Sequence, residues 1–188
     1  MNYDCSLTNL TCTPNAGLSK FKFESGKLHR LRLINSGAEG LQRFTIDNHT
    51  MTVIANDFVP IEPYETNVIT LGVGQRSDVL VRGTGRPTDS FWMRADISDR
   101  CSHSNQPHAL AVIHYEKAPS FAVPTSQATY FTDTNCSNDP LDITKPLFAM
   151  APPPEPAFTQ TIDIDFQANA TGAEVWMINN QSFRANYE

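Results

Sequence analysis

Apolar and polar residues alternate along this chain in short runs, and each run stops at a cluster of turn formers. In Leu28-His29-Arg30-Leu31-Arg32-Leu33-Ile34, Leu31 and Leu33 fall on one side and Arg30 and Arg32 on the other. That is the period-two signature of a half-buried strand. The alternation recurs at Phe44/Ile46, Met51/Val53, Val79/Val81, Phe91/Met93 and Ala111/Ile113/Tyr115. Between these runs sit Ser36-Gly37, Asp47-Asn48, Gly72 to Gly74, Gly83 to Pro87 and Ser104 to Pro107, all turn chemistry. No window of helical length keeps a period of about 3.6 residues. Many short strands at close spacing predict an all-β antiparallel sandwich or barrel.

The pattern changes after Lys117. Eight of the thirteen prolines lie between Ala118 and Pro156. Proline lacks the ladder donor, so this stretch is excluded from central sheet and reads as a linker crossing the surface. Beyond it, Ile162, Ile164 and Phe166 alternate with Asp163 and Asp165, and Val175-Trp176-Met177-Ile178 follows. The expected organisation is a sandwich domain over 1–117, a Pro-rich linker over 118–157 and the start of a further β unit over 158–188.

A net charge of -6 with scattered basic residues excludes a nucleic-acid surface, which needs clustered Lys and Arg. No purely apolar run, Ala109 to Ile113 included, is longer than five residues, too short to span a bilayer. Four cysteines (Cys5, Cys12, Cys101, Cys136) and five glycosylation sequons (Asn9, Asn48, Asn135, Asn169, Asn180) point to an oxidising, secretory and extracellular route. Met1-Asn2-Tyr3-Asp4-Cys5 has neither the basic start nor the apolar core of a signal peptide, so the chain is expected to be truncated upstream.

Among five histidines there is no His-x-His pair and no Cys-His cluster. His103, His108 and His114 are the sole candidate group, and they read as a loop histidine, one at the start of a strand and one partly buried and hydrogen-bonded. Gly72-x-Gly74 is followed by no helix and is a poor phosphate loop. Asp163 and Asp165 share one strand face and read as its solvated side. Phe91 and Trp92 read as one core and one surface aromatic. A Gly-x-Ser-x-Gly elbow is absent.

Taken in order, Leu28 to Asn35, Thr45 to Ile54, Gly72 to Val79, Phe91 to Ala95 and Ala109 to Tyr115 resemble the middle domain of a fungal (ascomycete-type) laccase, a multicopper oxidase. The resemblance runs from about Asn2 to Tyr115. It implies a cupredoxin-like (plastocyanin-like) Greek-key β-sandwich, incomplete because the family's first strands are missing upstream. Trp176 to Phe183 resembles the opening strands of that family's third domain, most of which is missing downstream.

What the resemblance implies is an internal fragment of a secreted laccase-like oxidase that oxidises phenols and reduces dioxygen to water. Copper would belong to the full-length parent, held by flanking cupredoxin domains of the same polypeptide, with none bound by this chain, which alone would be inactive. Nucleic acid and membrane are not expected partners. The alternatives are a ferroxidase, a pigment or secondary-metabolite oxidase, and a non-catalytic secreted β-sandwich binding module. Within the family, the position of Glu39 in Asn35-Ser36-Gly37-Ala38-Glu39 carries an acidic residue that lines the phenol pocket. Removing an electron from a phenol makes its hydroxyl strongly acidic, and a nearby carboxylate lowers the barrier by accepting that proton. The resemblance also implies a Cys101–Cys136 disulfide tying the domain's end to its linker, with Cys5 and Cys12 left to pair locally.

Overall fold

The computed structural model describes residues 6, 9, 11–12, 17–98, 100–102, 104, 106–132 and 136–182. Two compact units divide the chain, Met1–Ala149 and Met150–Glu188.

The first unit is a sandwich of two sheets. One holds β1 (Ser19–Phe23), β9 (His108–Tyr115), β8 (Ser90–Ile97), β3 (Gln42–Ile46) and β6 (Ile69–Leu71), hydrogen-bonded in that order. The other runs β2 (Leu28–Ile34), β7 (Arg76–Arg82), β4 (Met51–Asn56), β5 (Val59–Thr66). The chain passes repeatedly from one sheet to the other, which is why sequence neighbours such as β2 and β3 do not pair. Each run of alternation between Leu28 and Tyr115 lies in a strand, and its apolar side faces the other sheet. Ile46, Met51, Val53, Val79, Val81 and Ile113 are fully buried there, and such burial contributes about 1.5–3 kcal/mol per large side chain. All pairs in the sandwich are antiparallel except β1 with β9, which is parallel.

Strands β1, β5 and β6 were not among the alternating runs, the last two for identifiable reasons. β6 has three residues, too few for a period. β5 contains Pro60 and Pro63, which a strand tolerates at a sheet edge, and β5 is the edge of its sheet. The two-residue β4–β5 turn puts Asp57 and Phe58 at φ 47° and 70°, the twist that matches a tight hairpin. Phe58 is a costly residue for that region, and the Arg76 guanidinium stacks 4.0 Å above its ring, an offsetting cation–π contact.

Residues 118–147 are not a free tether. Those of them that are described cross the outer face of the first sheet and continue to the edge of the second. Ser120 O accepts from Lys20 Nζ, and Ala122 O lies 3.1 Å from His114 Nε2. A disulfide joins Cys136 to Cys101 across a sequence separation of 35, with Cα atoms 5.4 Å apart. Closing a loop of that length is worth about 4 kcal/mol in the chain-entropy picture. Asp139 Oδ2 then accepts from Thr70 N, and Lys145 O and Leu147 N bond to Glu62 N and Pro60 O. The last two contacts cover part of the β5 edge, which would otherwise be open to pairing with another chain. The compact unit therefore extends some thirty residues into the segment that composition alone marks as linker.

At the centre of this crossing is a buried ion pair. Asp47 is fully buried, and Arg94 binds both its oxygens, Nε to Oδ1 at 2.8 Å and Nη2 to Oδ2 at 2.9 Å. Ser126 of the crossing segment donates Oγ–H to Asp47 Oδ2 at 2.7 Å and accepts from Trp92 N at 3.2 Å. Hydrogen bonding to Asp47 holds the Arg94 guanidinium above its ordinary pKa, against the opposing effect of burial.

The second unit is an antiparallel sheet of β10 (Ile164–Ala168), β11 (Glu174–Ile178) and β12 (Gln181–Ser182). Ile164 faces Ile178, and Phe166 faces Trp176 across the pair, all exposed. Asp163 and Asp165 are exposed as well.

Candidate functional site

Glu39 sits in the loop that carries the chain from β2 to β3, and that loop is built around one side chain. Asn35 is buried, its Oδ1 accepts from Gly37 N at 3.1 Å, and its Nδ2 donates to Gly40 O and Leu71 O, both at 3.0 Å. An asparagine that bonds the backbone two residues on is a local turn former, and here it also bridges to the end of β6. Asn35 N donates to Gln75 O, and Asn35 O accepts from Gly74 N, so the residue has no idle polar group. Gly40 closes the loop at φ +100°, where a Cβ would lie 3.2 Å from Ile97 Cδ1. Any other residue there is strained by its backbone and crowded by its neighbour.

On this held loop the Glu39 side chain is exposed, and its Oε1 accepts a 3.0 Å hydrogen bond from Ser102 Oγ. Oε2 has no partner among the described residues. Ser102 is itself buried and lies in a short turn in which Cys101 N and Ser102 N both donate to Ser98 O. The neighbouring Cys101–Cys136 bridge pins that turn. A cavity of about 240 Å³ is lined by Tyr64, Gln75, Asn138 and Asp139 among others. A broader groove of about 650 Å³ lies by Arg43, Arg94, Asp96 and His108. Glu39 lines neither of them; it stands at the surface.

The described histidines are each engaged. His29 stacks on Phe23 at 4.1 Å and accepts from Glu24 N through Nε2. His108 Nδ1 lies 2.7 Å from Asp96 Oδ1. His108 and His114 share a face of β9, but six residues at about 3.3 Å each put them far beyond sharing one metal. His103 lies outside the described residues. Among the described residues no group of three His, Cys, Asp or Glu could hold a metal ion. Cys12 is disulfide-bonded, and Cys5 lies outside the described residues.

His49 is the histidine that sequence reading passed over. It is buried, with Nδ1 2.8 Å from Asp47 O and Nε2 2.7 Å from Tyr115 Oη. A carbonyl on Nδ1 requires an N–H there, so the neutral ring accepts the tyrosine proton at Nε2. Tyr115 Oη in turn accepts from Gly85 N at 3.0 Å, and a Cβ on Gly85 would come within 2.8 Å of the Tyr115 ring. Burial pushes the His49 pKa below its ordinary 6.5, against the raising effects of the Asp47 carbonyl and charge.

The unfolded chain therefore binds this proton more readily than the folded one, and stability must fall as pH falls. The contribution is full above about 6.5 and is lost progressively below it, toward the lower folded pKa. Melting followed from pH 7.5 to 5 should show a steeper drop for the native chain than for His49→Gln. Parallel drops would mean that His49 does not titrate on unfolding.

Of the sequon asparagines, Asn9, Asn48 and Asn180 are exposed, the last two at left-handed turn positions with φ 59° and 64°. Asn169 is half-buried, and its Oδ1 accepts from Thr171 N, Thr171 Oγ1 and Ala173 N. Asn135 lies outside the described residues.

A sandwich of this topology has counterparts among known proteins. The multicopper oxidase family model matches residues 3–118, and the chain belongs to that family. It is 35% identical to Laccase-2 of Botryotinia fuckeliana over 182 residues, 96% of this chain and 30% of that protein. Oxidoreductase OpS5 of Beauveria bassiana is 40% identical over 134 residues, 70% of this chain and 22% of that protein. The crystal structure of the laccase from Botrytis aclada superposes with a TM-score of 0.74 at 34% identity, covering 95% of this chain and 32% of the laccase. The chain thus spans less than a third of the length of these relatives. The cupredoxin-like fold expected from the resemblance is the fold observed.

Proposed function

We propose that this chain is part of a secreted laccase-like multicopper oxidase, and that Glu39 is the carboxylate that accepts the phenol proton. One observation carries the reading. On a chain similar to laccases over 96% of its length, Glu39 is presented at the surface on a loop held by Asn35, with Oε1 tied to Ser102 and Oε2 open.

The chemistry balances as follows. Each phenol loses one electron and one proton to give a phenoxyl radical, and dioxygen takes up four of each to become two waters. Copper, held outside this chain, would supply the electron acceptor and the place of dioxygen reduction. What this chain contributes is the proton step and the wall that orients the phenol. Glu39 Oε2 takes the hydroxyl proton as the electron leaves, so no strongly acidic radical cation has to form. The disulfide and the exposed sequon asparagines support passage through an oxidising secretory route. Residues 118–147 fit the role of connector between cupredoxin domains, fixed to one of them.

The copper-loaded oxidase encoded around this chain should consume dioxygen with 2,6-dimethoxyphenol as donor. Ferrous iron oxidised with the far higher kcat/KM would make the protein a ferroxidase. Failure with phenols, pigment precursors and iron alike would leave a binding module.

A further inference from the structure

We infer that Ser102 is a positioning residue for Glu39: its hydroxyl occupies Oε1 and so directs Oε2 to the substrate. The inference rests on the reading of Glu39 as proton acceptor and goes beyond it, because it names what makes that acceptor geometrically competent. A glutamate side chain turns about three bonds, and an exposed one samples many rotamers. A proton acceptor works in only a narrow set of geometries around the reacting oxygen.

Loop geometry restrains the Glu39 backbone but leaves its side chain free, since the Asn35 contacts end on Gly37 and Gly40. The Ser102 Oγ–Oε1 bond of 3.0 Å is the one hydrogen bond to the carboxylate among the described residues. Bonds to an ionised acceptor are the stronger kind.

The serine is itself well supported for this work. It is buried, its own N–H donates to Ser98 O at 3.1 Å, and the adjacent cysteine is bridged to Cys136. Those restraints act on the backbone of the turn. The turn therefore does not need the hydroxyl, and the hydroxyl is left to act on Glu39. This separation makes the role testable, because Ser102→Ala should remove the directing bond while the turn stays in place.

The test uses the copper-loaded oxidase that contains this chain, with the blue absorption band as the check of an intact copper site. Turnover is measured with 2,6-dimethoxyphenol, which must lose a proton, and with ferrocyanide, which has none to lose. In Ser102→Ala the ratio of phenol to ferrocyanide kcat/KM should fall about tenfold, the scale on which misplacing a reacting group acts. Ser102→Thr, which keeps the hydroxyl, should restore the ratio. The double variant Ser102→Ala/Glu39→Gln should be no worse than Glu39→Gln alone, because both changes remove one function.

Equal losses for both donors in Ser102→Ala would assign the serine to structure and overturn the inference. An unchanged ratio in Ser102→Ala alongside a lowered one in Glu39→Gln would overturn the inference and leave the Glu39 reading standing. An unchanged ratio in Glu39→Gln would remove that reading and the inference with it.

Discussion

Replacing Glu39 by Gln in the oxidase that carries this chain is expected to lower phenol turnover by about two orders of magnitude, the range for losing a general base. The amide keeps the size of the side chain and can still accept the Ser102 hydrogen bond, so the loop and the fold should be unaffected. What it cannot do is take a proton. Donors that lose only an electron should therefore be oxidised nearly as before, and the blue absorption should persist. A comparable loss for ferrocyanide would place the effect in electron transfer or in structure. Phenol oxidation at the native rate would make Glu39 a solvated loop carboxylate without a part in the proton step.

The largest effect on stability should come from Asp47→Ala. Asp47 is fully buried, and three hydrogen bonds reach its carboxylate, two from Arg94 and one from Ser126. Removing it leaves a guanidinium largely out of water without its partner. Breaking a buried pair in this way costs about 3–5 kcal/mol. Arg94 retains some exposure, its side chain being 19% accessible, so the lower end, about 3 kcal/mol, is expected. Urea denaturation of the two proteins gives the difference directly. Replacing both partners, as Asp47→Ala/Arg94→Met, should recover part of the loss, because no charge is then stranded. Ser126→Ala should cost about 1 kcal/mol, the worth of one ordinary hydrogen bond, and should loosen the crossing segment first. A Ser126→Ala protein as unstable as Asp47→Ala would mean that packing of the segment, and not the ion pair, dominates.

The Asp47 network also marks where reading the sequence stopped being sufficient. Asp47-Asn48 looks like a turn on composition, and a turn it is, with Asn48 in the left-handed region at φ 59°. Nothing local says that the aspartate points inward. It does so because β3 and β8 pair with Thr45 opposite Arg94, and because a segment some eighty residues later lies over that face. Polar residues on the outer side of a strand read as solvated whenever the cover is distant in sequence. Arg43 was hidden in the same way, buried beneath a residue of the crossing segment, whereas His114, expected to be partly buried and hydrogen-bonded, is so.

The strand runs, by contrast, were legible because their determinant is local. A two-residue period and its turn formers specify which side of each strand is buried, whatever that side is buried against. The alternation at Phe44/Ile46, Met51/Val53, Val79/Val81, Phe91/Met93 and Ala111/Ile113/Tyr115 therefore placed most of the core before any pairing was known. The proposal for Glu39 has a different source: it rests on the match of its loop to a family and not on any local period.

Three things were left to the tertiary structure. It decided that Ser102, sixty-three residues from Glu39, supplies the bond on its carboxylate. It decided that His49 is buried with its two ring nitrogens against Asp47 O and Tyr115 Oη. It also decided that thirty residues of proline-rich chain belong to the domain's surface. In each case the partners are far apart along the chain, and what joins them is sheet pairing, disulfide closure and burial. Sequence periodicity carries the preference of each residue for water or for the interior. Which distant group satisfies a buried donor or acceptor is set only when the sheets close on one another.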